Sequence, residues 1–325
     1  MIRWGVAGPG GIATRFATAM RETTGGTIVA VASRSAERAQ DFADRFDIGH
    51  RYDDYRALAD DPTVDAVYIA TPHARHEADA LHYLSADKHV LCEKPFALNA
   101  GQAQRMVDTA QQRARFLMEA VWSRFLPAYR RLNVLLADGR IGAPVQVEAS
   151  FGLRMPRDPA HRLYDLQQGG GALLDLGIYP IQLGHLVLGG VSEVAAAGVL
   201  GPTGVDEQIG AVLTHERGGL SMVQAALSVV LPGTARISGT DGYIDVPAFM
   251  HCPNSLNVVT FSSGNEAIDC SYQGDGLRFE IDEVHRCLAD GLTESPLMTL
   301  DETVALARIM DSIRAQIGLC YPDES

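Results

Sequence analysis

Residues 5–13 read Gly5-Val6-Ala7-Gly8-Pro9-Gly10-Gly11-Ile12-Ala13: an apolar run that breaks into glycine and then resumes with small residues. Gly8, Gly10 and Ala13 fit the pattern G-x-G-x-x-A. Placed between a first buried strand, Arg3–Ala7, and a following helix, each position has a physical reason. The first glycine permits a sharp turn, and the second lets backbone N–H groups approach a pyrophosphate. The small last residue lets the helix close on the sheet, with its N-terminus facing the anion. Gly8, Gly10, Gly11, Ile12 and Ala13 are therefore candidate cofactor contacts.

Outward from this turn the chain alternates. Arg3–Ala7, Thr27–Ser33, Ala66–Thr71, His89–Glu93 and Arg115–Ala120 are short runs rich in Val, Ile and Leu, as in buried parallel strands. Between them Ala39, Phe42, Ala43 and Phe46 recur with helical spacing and lay one apolar stripe on the sheet. Strands alternating with helices predict a doubly wound parallel sheet, a Rossmann domain over 1–122. After Trp122 the rhythm changes. A strand at 144–151, a Gly-rich turn and helix near 169–188, then strands at 192–200, 206–215, 219–230 and 234–246 predict a second α/β domain over 123–325, with a large, mainly antiparallel open sheet. Thr299 and Glu302 have capping-box spacing. They open a last helix, about 300–318, with a stripe of Leu306, Ile309, Met310, Ile313 and Ile317, and this helix is a candidate to pack back on the first domain.

Composition narrows the function. A net charge of −13 over 325 residues argues against nucleic-acid partners, because phosphate backbones need a basic face. No apolar run approaches the ~20 residues of a membrane span, and the N-terminus runs straight into the glycine turn, so a cytoplasmic protein is expected. Cys92, Cys252, Cys270, Cys287 and Cys320 form an odd set without a C-x-x-C pair and read as free buried thiols. His73-x-x-His76 lacks the cysteines or carboxylates to complete a metal sphere, and no metal is expected.

The cofactor's identity turns on the end of the second strand. An NAD site usually places an acid there for the ribose 2′-OH. Here the chain reads Ala32-Ser33-Arg34-Ser35, with Arg38 one turn later. A hydroxyl and two guanidinium groups suit a 2′-phosphate, which points to NADP.

Two stretches carry candidate chemistry. Glu93-Lys94-Pro95 stands at the end of the strand at 89–93, on the edge where doubly wound sheets bind ligands. Lys94 and Lys88 are the only lysines among 27 basic residues. Lys94 thus offers a compact charge in a chain that otherwise uses arginine, whereas Lys88 is expected on the surface. The second stretch is Gly169-Gly170-Gly171-Ala172-Leu173-Leu174-Asp175-Leu176-Gly177-Ile178-Tyr179-Pro180. A helix opened by Ala172 puts Asp175 and Tyr179 on one face, and Pro180 kinks it just beyond the tyrosine.

These motifs, together with Thr71-Pro72-His73 and His76, resemble the glucose–fructose oxidoreductase/inositol dehydrogenase (Gfo/Idh/MocA) family, in order and over nearly the whole chain. Phe116–Ala120, Trp122–Tyr129 and Gly204-Val205-Asp206-Glu207 are similar to its dimeric trans-dihydrodiol dehydrogenase/D-xylose dehydrogenase branch. The resemblance implies an oxidoreductase with Lys94, Asp175 and Tyr179 as catalytic residues, Tyr179 standing where many relatives carry histidine. It adds Thr71, Pro72, His73, His76, Glu93 and Lys94 to the cofactor contacts. Gln182, where polyol enzymes of the family have an acid, weighs against an inositol-like substrate.

The implied reaction moves a hydride between nicotinamide and a secondary alcohol or hemiacetal of a sugar or dihydrodiol. Two other readings stand beside it: a dinucleotide-binding sensor without turnover, which the retained Lys94, Asp175 and Tyr179 disfavour, and a nicotinamide-dependent glycosidase, whose pattern favours histidine at the Tyr179 position. The partners expected are a small-molecule substrate and a second copy of the chain. Both faces of the 220–230 strand are largely apolar, with Leu220, Met222 and Ala226 on one and Val223, Ala225, Leu227 and Val229 on the other. That leaves a face for a subunit interface.

Overall fold

A computed structural model describes residues 1–322. The chain divides into two compact units, Met1–Phe125 with Gln273–Val304, and Leu126–Tyr272 with Ala305–Ser325. The expected break near 122 lies close to the first crossing. The second domain, expected over 123–325, differs, because 273–304 group with the first unit.

Elements are numbered in chain order. The first unit is built on β1 (Ile2–Ala7), β2 (Gly26–Ala32), β3 (His50–Tyr52), β4 (Ala66–Ile69), β5 (His89–Glu93) and β6 (Leu117–Ala120). They form a six-stranded sheet of order β3-β2-β1-β4-β5-β6, parallel at every pairing. Helices α1 (Gly11–Met20), α2 (Ala36–Phe46), α3 (Tyr55–Asp60), α4 (His76–Ser85) and α5 (Ala100–Arg113) connect them. The order reverses at β1 and β4, and ligands of such sheets bind at the carboxyl ends of the strands there. The returning segment adds α8 (Leu277–Ala289), which packs on α1. The short β3 has no apolar period of its own, which is why sequence patterning passes over it.

The stripe predicted for α2 is real: Ala39, Phe42 and Ala43 are buried, and Ser35 accepts a hydrogen bond from the Arg38 N–H at the N-cap. Lys88 is a correction. It lies buried rather than on the surface, with its ammonium donating to the carbonyls of Asp61 and Val64 at 2.7 and 2.8 Å. Two acceptors and the nearby Asp61 carboxylate offset the cost of taking that charge out of water.

In the second unit, β7 (Pro144–Gly152), β8 (Val191–Leu200), β9 (Asp206–His215), β10 (Leu220–Ala226), β11 (Ala235–Gly239), β12 (Gly242–Val246), β13 (Ser255–Thr260) and β14 (Gly264–Asp269) form one open sheet. Its order is β14-β13-β12-β11-β7-β10-β9-β8. All pairings are antiparallel except β7 with β10. The run 234–246 is two strands, because the chain turns at Thr240-Asp241, and β13 and β14 extend the sheet beyond what the sequence pattern suggests. Helices α6 (Pro127–Ala137) and α7 (Ile178–Leu188) also belong to this unit, as does most of α9 (Leu300–Ile317), whose first residues are grouped with the other unit.

The inner face of β10, with Ser221, Val223 and Ala225, is buried. The outer face is less apolar than expected: Leu220 is exposed and Met222 half-buried, but Gln224 shares that face, and Ala226 is buried at the strand's end. The thiols also differ from expectation, since Cys252 is half-buried and Cys320 exposed, although all five are unpaired. One stretch, Leu166–Leu188, is long and apolar enough to cross a membrane, and 83% of its most apolar window is buried inside the unit, as in a core helix. For α9, Thr299 accepts the Glu302 N–H as a capping box requires. The Glu302 carboxylate, however, takes the Arg124 guanidinium instead of reaching back to close the box.

Candidate functional site

The first unit gathers its candidate residues along the carboxyl edge of the parallel sheet. Gly8 has φ +91°, and a Cβ there would lie 2.8 Å from the Ala70 carbonyl oxygen, so the turn accepts only glycine. Gly10 and Gly11 differ, because a Cβ on either would meet nothing within 4 Å. Nothing in the described chain demands glycine at these two positions. Their smallness keeps the surface open for something that approaches the backbone. Gly10 is the N-cap of α1, no side chain caps that helix, and its first turn holds no acid. Free N–H groups and the positive end of the helix dipole suit an anion. Ile12 is half-buried, and Ala13 is buried where the helix meets the sheet.

Ser33 is buried at the end of β2, and its oxygen accepts the Ser35 N–H at 3.2 Å, leaving the hydroxyl proton to donate elsewhere. Arg34 and Arg38 are exposed. The Arg38 guanidinium donates to the Pro9 carbonyl at 3.4 Å, which draws it toward the glycine turn. These residues fit an anionic dinucleotide, with an anion cradle at the α1 N-terminus and a hydroxyl plus two guanidinium groups at the end of β2.

At the ends of β4 and β5 the geometry is unusually constrained. Thr71 donates to Asp79 at 2.8 Å, and Asp79 also takes the Arg75 guanidinium. The Lys94–Pro95 peptide is cis. Glu93 is buried, with one carboxylate oxygen accepting the Tyr68 hydroxyl and the other the Lys94 N–H. Burial raises its pKa, while those hydrogen bonds and the Lys94 charge pull it down. Behind it Glu280 is fully buried, and neither of its oxygens has a hydrogen-bond partner among the described residues. Burial first, and the Glu93 charge second, push the Glu280 carboxyl well up. Tyr68 sits alone on an apolar strand and Glu280 is one of several acids on α8, so neither has a sequence signal.

His76 is fully buried. Its Nδ1 lies 2.8 Å from the Pro95 carbonyl oxygen and its Nε2 2.9 Å from that of Thr71. The ring of His73 meets it edge-on at 5.7 Å. The sequence places His76 in the cofactor cleft; the structure gives both of its nitrogens to backbone, tying the Thr71 loop to the Lys94-Pro95 turn.

In the second unit, residues 173–177 form a π-helical turn that runs straight into α7. It replaces the regular helix expected from Ala172, with Asp175 inside the turn and Tyr179 just beyond it. Pro180 is the third residue of α7, just beyond the π-turn, and the local irregularity of that turn accommodates a residue without an N–H to give. The Asp175 carboxylate takes the Arg162 guanidinium at 3.1 Å. The Tyr179 ring is nearly buried, 5.0 Å from the ring of His251 and 5.7 Å from that of Phe151. Gln182 donates to the Tyr129 hydroxyl at 3.2 Å, so it is spent on the core. Phe151 thus stands beside Tyr179, whereas Tyr164 donates its hydroxyl to backbone and Trp122 lies under the Arg15 guanidinium in the first unit. His251 follows an irregular turn and carries no motif. Lys94 thus belongs to the first unit and Asp175 and Tyr179 to the second.

Two family models match in tandem, an oxidoreductase family with NAD-binding Rossmann fold over residues 2–121 and a GFO/IDH/MocA C-terminal domain over 129–245. The chain belongs to the GFO/IDH/MocA oxidoreductase family. It is 38% identical to the trans-1,2-dihydrobenzene-1,2-diol dehydrogenase of Danio rerio over 100% of this chain and 99% of that one. The Homo sapiens protein of the same name is 37% identical over 99% of each. Among solved structures, the 3-ketoreductase KijD10 of Actinomadura kijaniata, in complex with NADP and TDP-benzene, superposes with a TM-score of 0.87 at 27% identity, covering 97% of this chain and 98% of that one. The family assignment makes this chain an NAD(P)-binding oxidoreductase.

His76→Ala removes the bridge between the Thr71 and Pro95 carbonyls and leaves buried acceptors unpaired, so it should destabilise the protein by about 1–3 kcal/mol in denaturant unfolding. Unfolding at the wild-type midpoint would contradict the bridge.

Proposed function

We propose that this protein is an NADP-dependent dehydrogenase of the cytoplasm, acting on a secondary alcohol or hemiacetal of a sugar or dihydrodiol. The observation that carries the cofactor choice is the end of β2: Ser33 with a donatable hydroxyl, exposed Arg34 and Arg38, and no acid. The names of the curated relatives support the substrate class, and the NADP bound to KijD10 supports the cofactor. Five unpaired cysteines suit a reducing compartment.

When bound, NADP supplies the hydride acceptor. The chain's own residues do the rest. The uncapped α1 N-terminus and the Gly10-Gly11 backbone hold the pyrophosphate. Tyr179 removes the substrate hydroxyl proton, or returns it in the reverse direction. An isolated phenol, with a pKa of about 10, is a poor base near neutrality, so this role needs a cation to favour its ionised form, the part that the family resemblance gives to Lys94. Asp175, held by Arg162, orients the substrate. Retention of this whole set argues against a sensor without turnover, and tyrosine at position 179 argues against a nicotinamide-dependent glycosidase.

We further propose a homodimer through the outer face of the second unit's sheet. Val199, Val212 and Leu220 are 57%, 40% and 41% exposed on β8, β9 and β10, and a second copy of the same face would cover them. Light scattering at micromolar concentration is expected to give about twice the 35.0 kDa chain mass; a monomer would refute the interface.

For the enzyme reading, incubation with NADP⁺ and a panel of sugars and dihydrodiols is expected to accumulate reduced cofactor, whereas a sensor or a net-neutral glycosidase would not. A charge-assisted hydrogen bond contributes about 1.5–3 kcal/mol, so Arg34→Ala should weaken NADP binding roughly 10- to 150-fold. NAD, which lacks the 2′-phosphate, should bind as before. Equal losses for both cofactors would show that Arg34 serves the adenine or the fold.

A further inference from the structure

Asp206 opens β9 and is completely buried. One oxygen accepts the Leu173 N–H at 2.6 Å, on the first residue of the π-turn that carries Asp175. The other oxygen has no hydrogen-bond partner among the described residues. It occupies the space beside Gly171, where a Cβ would come within 2.0 Å of it, and Gly171 has φ +129°. The glycine before it is equally committed. Gly170 accepts the Tyr321 hydroxyl at 2.7 Å, and a Cβ there would meet the Arg162 and Leu163 carbonyls at 2.7 and 2.6 Å. The Gly170-Gly171 pair and Asp206 thus form one device: the glycines clear the space, and the carboxylate enters it to hold the start of the helix.

We propose that Asp206 is a positioning residue for Tyr179: its carboxylate, by anchoring Leu173, fixes the π-turn and with it the direction in which α7 presents the phenol, and protonation of that carboxylate loosens the anchor. The proposal rests on the reading of Tyr179 as the acid–base group. Burial pushes the Asp206 carboxyl up to about 7, against the lowering pull of the Leu173, Asp206 and Ala172 N–H groups and of Arg314. The other groups nearby are already engaged. Arg314 pairs with Asp311, Tyr321 donates to Gly170, Glu207 takes Arg157, and Asp175 takes Arg162. The anchor is at full strength above neutrality and weakens as pH falls through about 7.

The test compares wild type, Asp206→Asn, Asp206→Ala and Tyr179→Phe. Losing an N-cap acceptor costs about 0.5–2 kcal/mol, so Asp206→Ala should lower kcat roughly 2- to 30-fold. Asp206→Asn, which keeps a neutral acceptor, should fall between wild type and Ala. NADP affinity should be unchanged in both, because the cofactor loop lies in the other unit. A second readout does not depend on turnover. In protein labelled with ¹³Cζ-tyrosine, the Tyr179 resonance, assigned by its absence in Tyr179→Phe, should shift with pH around 7 in wild type and be flat in Asp206→Asn. A Tyr179 resonance indifferent to Asp206, or a loss of kcat matched by a loss of NADP affinity, would overturn the proposal. Should Tyr179→Phe turn over at the wild-type rate while the resonance still follows Asp206, the acid–base reading would fall and the positioning would stand.

Discussion

The whole arrangement depends on one close approach, that of the Gly8 Cα to the Ala70 carbonyl where β1 and β4 end side by side. A side chain at Gly8 would collide with that carbonyl, so the chain must turn there with positive φ. The turn delivers the backbone to the N-terminus of α1 with its N–H groups uncapped. An anion cradle results from sterics and helix geometry, with no charged side chain involved. In a chain with a net charge of −13, a place for a polyanion has to be made locally, and backbone N–H groups make it here.

The candidate side chains stand on loops held from behind by buried polar groups. His76 joins the Thr71 and Pro95 carbonyls, Tyr68 and the Lys94 N–H fix Glu93, and Asp206 pins Leu173. None of these contacts is an obvious stabiliser, because each removes a titratable group from water. What they provide is geometry. A catalytic group on a loosely held loop loses alignment, and small displacements cost large factors in rate.

Much of this was legible in the chain. The glycine turn, the parallel strands and the strand-tip lysine follow from local rules, because each needs a residue type that few other contexts demand. Asp175 and Tyr179 were legible through the conflict of a proline inside a helical stretch, though the π-turn that accommodates it was not. Lys88, Glu280 and Asp206 could not be placed, for a common reason. Whether a lone charged residue is solvated or buried depends on partners far away in sequence, such as the Val64 carbonyl 24 residues from Lys88 or the Leu173 N–H 33 residues from Asp206. The assignment of 273–304 to the first unit was hidden likewise, since the packing of α8 on α1 leaves no trace in the local pattern of either helix.

In the proposed reaction Tyr179 handles the substrate proton and the Lys94 charge assists it. The most direct measurement is kcat for Tyr179→Phe, Lys94→Met and the double variant, with NADP and a substrate turned over by the wild type. General acid–base catalysis contributes on the order of 10²–10⁴-fold, so each single variant should lose at least ~10²-fold. The losses should not multiply in the double variant, because the two residues serve one step. A Tyr179→Phe enzyme running at the wild-type rate would contradict the account.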